Sequence, residues 1–111
     1  MENTLVDPKI TVIQPQRSLN VANALEFERE LVTALRQNYC SALLVDLERV
    51  EFIDSAGLIA LMSGLKLARC LGKCLSLCSV SPQLKIIFEV SRLDTVFDIA
   101  EGDNKALLAS L

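Results

Sequence analysis

The sequence predicts an α/β domain whose helices pack on a mostly parallel sheet. Three observations lead there. Short β-branched or aliphatic runs alternate with longer segments of three- and four-residue apolar period. The run at 42–47, Ala-Leu-Leu-Val-Asp-Leu, is apolar throughout except at Asp46, as suits a central strand covered on both faces. Three prolines and four glycines are scattered along the chain as punctuation, with no linker, repeat or low-complexity stretch. Strands alternating with helices imply layered α/β packing with right-handed crossovers.

The elements follow in order. Residues 9–14, Lys-Ile-Thr-Val-Ile-Gln, are rich in β-branched side chains and form a strand. A shorter strand at 4–6 precedes it. Residues 15–20 are polar and break the pattern. From Val21 the period changes. Ala24, Phe27, Leu31, Ala34 and Leu35 mark one face of a helix that ends near Asn38, with charged residues opposite and Asn20 as its N-cap. The central strand follows, then a connection at 48–54 holding Val50, Phe52 and Ile53. Residues 55–71 form a second helix. Asp54-Ser55 supplies capping chemistry and Gly72 a C-terminal glycine. Residues 74–80 form a strand. Ser81-Pro82 opens a third helix whose apolar side is Leu84, Ile87, Phe88 and Ser91. A short strand at 95–99 and a helix at 103–110 complete the chain.

Bulk properties bound the function. A chain of 111 residues fits one domain, residues 1–111, and can bury a continuous core without staples. Apolar residues make up 51% and aromatic ones 5%, with no Trp, so the core is aliphatic. A net charge of −3 argues against nucleic acid as the main partner, because phosphate binding wants a basic face. The N-terminus has no signal-peptide pattern. Mean hydropathy is high at +0.39. Yet Lys66, Arg69 and Lys73 interrupt the most apolar stretch, leaving no run near the roughly 20 residues of a membrane span. A cytoplasmic protein without a membrane segment is expected. Cys40, Cys70, Cys74 and Cys78 have no zinc-knuckle spacing, and there is no His. The four are expected to be small buried hydrophobes, with no metal and no disulfide.

Catalytic constellations are missing from the sequence. Without His there is no Ser-His-Asp or Cys-His arrangement, and neither common Gly-rich phosphate loop occurs. Glu48, Glu51 and Asp54 read as a solvated connection, not as paired catalytic acids. No enzyme, no cofactor and no small-molecule substrate are expected. One segment does stand out: Phe52-Ile53-Asp54-Ser55-Ala56-Gly57-Leu58. It places a hydroxyl and two very small residues at a helix start. Gly57 there costs about 1 kcal/mol relative to Ala. Two readings stay open. Asp54 and Ser55 simply cap the helix, or the small residues let another protein's backbone or nucleotide approach closely. A phosphate on Ser55 would add about −1.5 to −2 charges. A helix N-terminus tolerates such charge, so its effect would fall on a docked partner and not on the fold.

These residues resemble the anti-sigma factor antagonist family, the bacterial members of the STAS domain group. The centre of the resemblance is Leu44-Val45-Asp46-Leu47 followed by 50–58, matching a hydrophobic strand and then Asp-Ser-(Ser/Thr/Ala)-Gly-Leu. Residues 67–72, and 80–84 running on to Ser91-Arg92-Leu93-Asp94 and Val96-Phe97, also look like the family. The resemblance covers nearly the whole chain. It implies a four- to five-stranded mostly parallel or mixed sheet, with about four helices packed mainly on one side. It also implies a function. The unphosphorylated protein would bind an anti-sigma factor that is a GHKL-type serine kinase, and so free a sigma factor. Phosphorylation of Ser55 would end binding, and a PP2C-type phosphatase would restore it. Asp54 would orient the acceptor hydroxyl or its surroundings. Partner contacts are expected at Asp54, Ser55, Ala56, Gly57 and Leu58, and at Ser18 and Asn20 in the loop before the first helix. Ala56 removes a competing acceptor. Asn20 stands where relatives tend to carry Asp. The alternative is a STAS scaffold in a partner-switching pathway whose output is not a sigma factor.

Overall fold

The structure, a computed structural model, describes residues 10–100 and Gly102. The expected strand at 4–6 and helix at 103–110 lie outside the described residues. The elements are β1 (Ile10–Ile13), β2 (Arg17–Leu19), α1 (Ala24–Leu35), β3 (Ala42–Asp46), β4 (Val50–Ile53), α2 (Ser55–Cys70), β5 (Cys74–Cys78), α3 (Pro82–Val90), a 3-10 turn (Leu93–Thr95) and β6 (Asp98–Ile99).

Four strands pair in the order β1-β3-β5-β6, every pair parallel. Parallel neighbours need long crossovers, and helices α1, α2 and α3 supply them. Register sets the buried face. Leu43 lies beside Leu75 and Val45 beside Leu77, and all four are buried. α1 and α2 cover this face and pack on each other. Phe27, Leu31 and Leu35 of α1 and Leu61, Leu65 and Ala68 of α2 join the same core. Each fully buried leucine contributes about 2 kcal/mol by leaving water. Gly64 allows the close approach, since a Cβ there would lie 2.8 Å from Leu31 Cδ1 and 3.3 Å from Leu75 Cδ1. On α3, Leu84 and Phe88 are buried, and Phe88 meets Phe97 edge to face at 6.1 Å.

Two expected irregular segments are strands. Residues 17–19 and 50–53 pair in parallel as β2 and β4, outside the main sheet. Their sequences hid this because each strand is short and their period is broken. The register shifts between Arg17 and Ser18, where Arg17 has φ 67°. In β4 the consecutive Glu51 and Phe52 are both exposed. Such pieces carry no alternating signal, and only pairing makes them strands.

The cysteine expectation holds for Cys40 and Cys78, which are buried, and fails for Cys70 and Cys74, which are exposed. Cys70 falls two residues past Ala68, off the buried stripe of α2. Cys74 opens β5 at the rim of the sheet. The last helix residues that the sequence placed on the apolar side of α3 include Ser91, which is exposed and instead donates its hydroxyl to Ile87 O at 2.6 Å.

Helix ends are closed by specific donors. Gly72, with φ 70°, follows α2, and Lys73 N–H returns to Ala68 O at 2.8 Å. Ser81 accepts from Leu84 N at 3.2 Å and opens α3. α1 has no basic residue in its last turn. Lys73, distant in sequence, serves that end: its ammonium donates to Leu35 O and, at 2.9 Å, to Gln37 O. A cation there meets carbonyls at the helix end, one of which, Gln37 O, also accepts from Cys40 N–H at 3.1 Å, and the negative end of the helix dipole. Lys73→Met should therefore lower unfolding free energy by about 1–2 kcal/mol, measured by urea denaturation. A change within a few tenths would show that water serves those carbonyls equally well.

Candidate functional site

The end of β2 and the end of β4 run side by side, with Leu19 opposite Ile53. Asp54 N–H then donates to Leu19 O at 3.0 Å. This pairing delivers two segments to one place: the loop 20–23 before α1 and the first turn of α2. They are 33 residues apart in sequence at the Val21–Asp54 contact.

Asp54 is the N-cap of α2. One carboxylate oxygen, Oδ1, accepts from Gly57 N at 3.0 Å. The other, Oδ2, accepts from Val21 N at 3.2 Å. The capping reading is thus correct, and it is incomplete. The same side chain also ties the loop to the helix start. Neither oxygen is bonded to the Ser55 hydroxyl; both are taken by backbone N–H groups. Ser55 itself is exposed at the first position of α2. The positive end of the helix dipole lies there.

Gly57 is buried, and its close neighbours belong to its own chain. A Cβ would stand 2.7 Å from Leu19 O and 2.9 Å from both Ile53 Cγ2 and Leu19 Cβ. The sequence reading that its smallness admits another protein is corrected here: its smallness admits β2. Ala56 and Leu58 are half-buried. Leu58 N–H closes the first helical bond, to Asp54 O at 3.0 Å.

The loop is a small hydrogen-bonded unit. Asn20 was expected to cap α1. The helix instead begins at Ala24, with Asn23 in the cap position. Asn20 Oδ1 accepts from Ala22 N at 2.9 Å, an Asx turn that comes before the helix. Asn23 makes no side-chain cap bond. Its carboxamide turns back, accepting from Asn20 N at 2.9 Å and donating to Ser18 O at 2.6 Å. Ser18 and Asn20 are half-buried. Val21 is 82% exposed at the tip. The sequence reading missed Asn23 and Val21. The spaced pair Asn20 and Asn23 was the available signal, and the apolar period starting at Val21 concealed it.

Comparison with known proteins identifies the family and the fold. A family model, the STAS domain, matches residues 3–106. The chain belongs to the STAS domain family. Within it, the chain is 33% identical over 95 residues to BtrV of Bordetella bronchiseptica, assigned as an anti-sigma factor antagonist. That match covers 85% of this chain and 80% of the relative. A Thermotoga maritima protein of the same assignment superposes with a TM-score of 0.81 at 22% identity, over 95% of this chain and 89% of that one. The phosphorylated form of the Bacillus cell fate determinant SpoIIAA superposes with a TM-score of 0.73 at 18% identity, over 96% and 94% of the two chains.

Gly57→Ala separates two effects of opposite sign. Helix propensity alone predicts a gain of about 1 kcal/mol. The contact with Leu19 O predicts a loss of about 2 kcal/mol or more, because backbone must shift. Thermal denaturation should show the loss; a raised midpoint would mean that β2 yields freely.

Proposed function

We propose that this chain is a phosphorylation-controlled binding switch, an anti-sigma factor antagonist of the cytoplasm, with Ser55 as the switched residue. Unphosphorylated, it binds an anti-sigma factor that is a GHKL-type serine kinase, and the sigma factor is released. The kinase moves the γ-phosphoryl group of ATP to Ser55. The bond between Pγ and the β-bridging oxygen breaks, a bond from Pγ to Ser55 Oγ forms, the hydroxyl proton is lost to solvent or base, and ADP leaves. A PP2C-type phosphatase hydrolyses the phosphoserine and restores binding.

The observation that carries this reading is the exposed serine at the start of α2, beside a carboxylate whose two oxygens are already engaged. A phosphate placed there gains from the helix dipole and from first-turn N–H groups, so the domain keeps its fold. The new charge is instead met by whatever protein covers the helix start. The likeness to a relative assigned as an anti-sigma factor antagonist supports the same reading.

The test uses purified chain and an anti-sigma serine kinase that modifies it. Ser55→Asp should weaken binding by about tenfold or more, while circular dichroism stays that of the native protein. Ser55→Ala should bind like wild type and resist switching by ATP. Equal affinity of Ser55→Asp and wild type would remove charge as the switching mechanism. Phosphate found by peptide mass spectrometry on another residue, and never on Ser55, would remove Ser55 from the proposal.

A further inference from the structure

Helices α1, α2 and α3 do not start alike. Asp54 and Ser81 have extended backbone at the cap position, and each side chain accepts from the N–H three residues on, that of Gly57 or Leu84. Asn23, at the cap position of α1, has φ −125° and ψ 1° and makes no such bond. Asn is among the best N-cap residues, so α1 forgoes a local stabilisation there. A local rule broken without a local gain points to a role elsewhere.

The Asn23 carboxamide is spent on the preceding loop, accepting from Asn20 N–H and donating to Ser18 O. Every backbone N–H from Asn20 to Ala24 then has an acceptor. Asn20 N–H donates to Asn23 Oδ1, Val21 N–H to Asp54 Oδ2 and Ala22 N–H to Asn20 Oδ1. Asn23 and Ala24 N–H both donate to Asn20 O, at 3.1 and 2.8 Å. Val21 N–H alone among these leaves the loop, and it reaches across to α2. Its direction is set by the residue before it, Asn20, whose own N–H is held by Asn23.

Asp54 stands directly before Ser55 in the chain. Without the Val21 N–H, Oδ2 of Asp54 is an acceptor in need of a donor, and the Ser55 hydroxyl is a donor on the next residue. A hydroxyl donated to that carboxylate has its oxygen turned toward negative charge.

We propose that Asn23 is a positioning residue for Ser55: it orients Val21 N–H onto Asp54, and the engaged carboxylate leaves the Ser55 hydroxyl free to accept a phosphoryl group. The inference rests on the switch proposed above and deepens it. Asn23 is half-buried and acts through Asp54, so its effect falls on the transfer step more than on binding.

The experiment is steady-state phosphorylation by a purified GHKL-type serine kinase that modifies Ser55 of the wild-type chain, at a temperature where circular dichroism shows every variant folded. The variants are Asn23→Ala, Asp54→Asn, the two combined, and Lys73→Met as a control that weakens α1 at its other end. Asp54→Asn puts an NH2 group in place of one of the two acceptors. Each of the first two should lower kcat about tenfold and change KM by less than about twofold. The combined variant should fall no further than the lower single one, because both changes break the same Val21–Asp54 tie. Amide hydrogen exchange at Val21 should be at least about tenfold faster in Asn23→Ala. Lys73→Met should leave kcat and KM alone. A fall of about hundredfold in the combined variant, the product of the single effects, overturns action through Asp54. An equal fall for Lys73→Met also overturns the role, since it traces the effect to helix stability. Unchanged kcat in Asn23→Ala overturns the role and leaves the switch standing. Failure of such kinases to modify the wild-type chain overturns the switch, and this role with it.

Discussion

The backbone hydrogen bond from Asp54 N–H to Leu19 C=O ends the pairing of β2 with β4. The rest of the candidate site depends on it. It brings the start of α2 under the end of β2, where Gly57 must lack a side chain. It also sets the Asp54 carboxylate between two backbone N–H groups, one from each segment. The carboxylate thus bridges a surface loop and the helix start. The loop spends its own carboxamides on itself: Asn23 on Ser18 and Asn20, and Asn20 on Ala22. A helix-cap position whose side chain faces backward gives up a helix bond to hold a loop. The same price in local helix stability appears at Gly57.

The two helix starts and the far ends serve different needs. The far ends are closed within the chain. Lys73 holds the Leu35 carbonyl that ends α1 and the Gln37 carbonyl just beyond it, and Gly72 turns the chain out of α2. The start of α2 is left with an exposed serine and a favourable field for negative charge. The chain is a member of the STAS domain family. Among the described residues no helix is long and apolar enough to cross a membrane.

Much of this architecture was legible in the sequence. The aliphatic run of β3, the four-residue spacing in α1, the Asp54 cap of α2, the glycine after it and the Ser81-Pro82 opening of α3 are local signals. Each rests on neighbours within a few residues, and each is found where the sequence puts it. So is Ser55, because an Asp-Ser helix start is itself a local pattern.

What only tertiary structure decided is what depends on distant pairing. β2 and β4 have no clear period and become strands through each other. Gly57 looks like a concession to a visitor, yet it is required by Leu19, far away in sequence. Asn20 looks like a cap because capping is a local preference, and the true start of α1 shifts to Ala24 once Asn23 is drawn back to Ser18. Cys70 and Cys74 look buried because cysteines usually are, and they are exposed because the stripe and the rim fall where they do. The sequence by itself determined the elements, since hydrogen bonding and side-chain period act over short range. The meeting of loop 20–23 with the Ser55 helix required the fold, since it depends on a strand pair that neither segment can form alone.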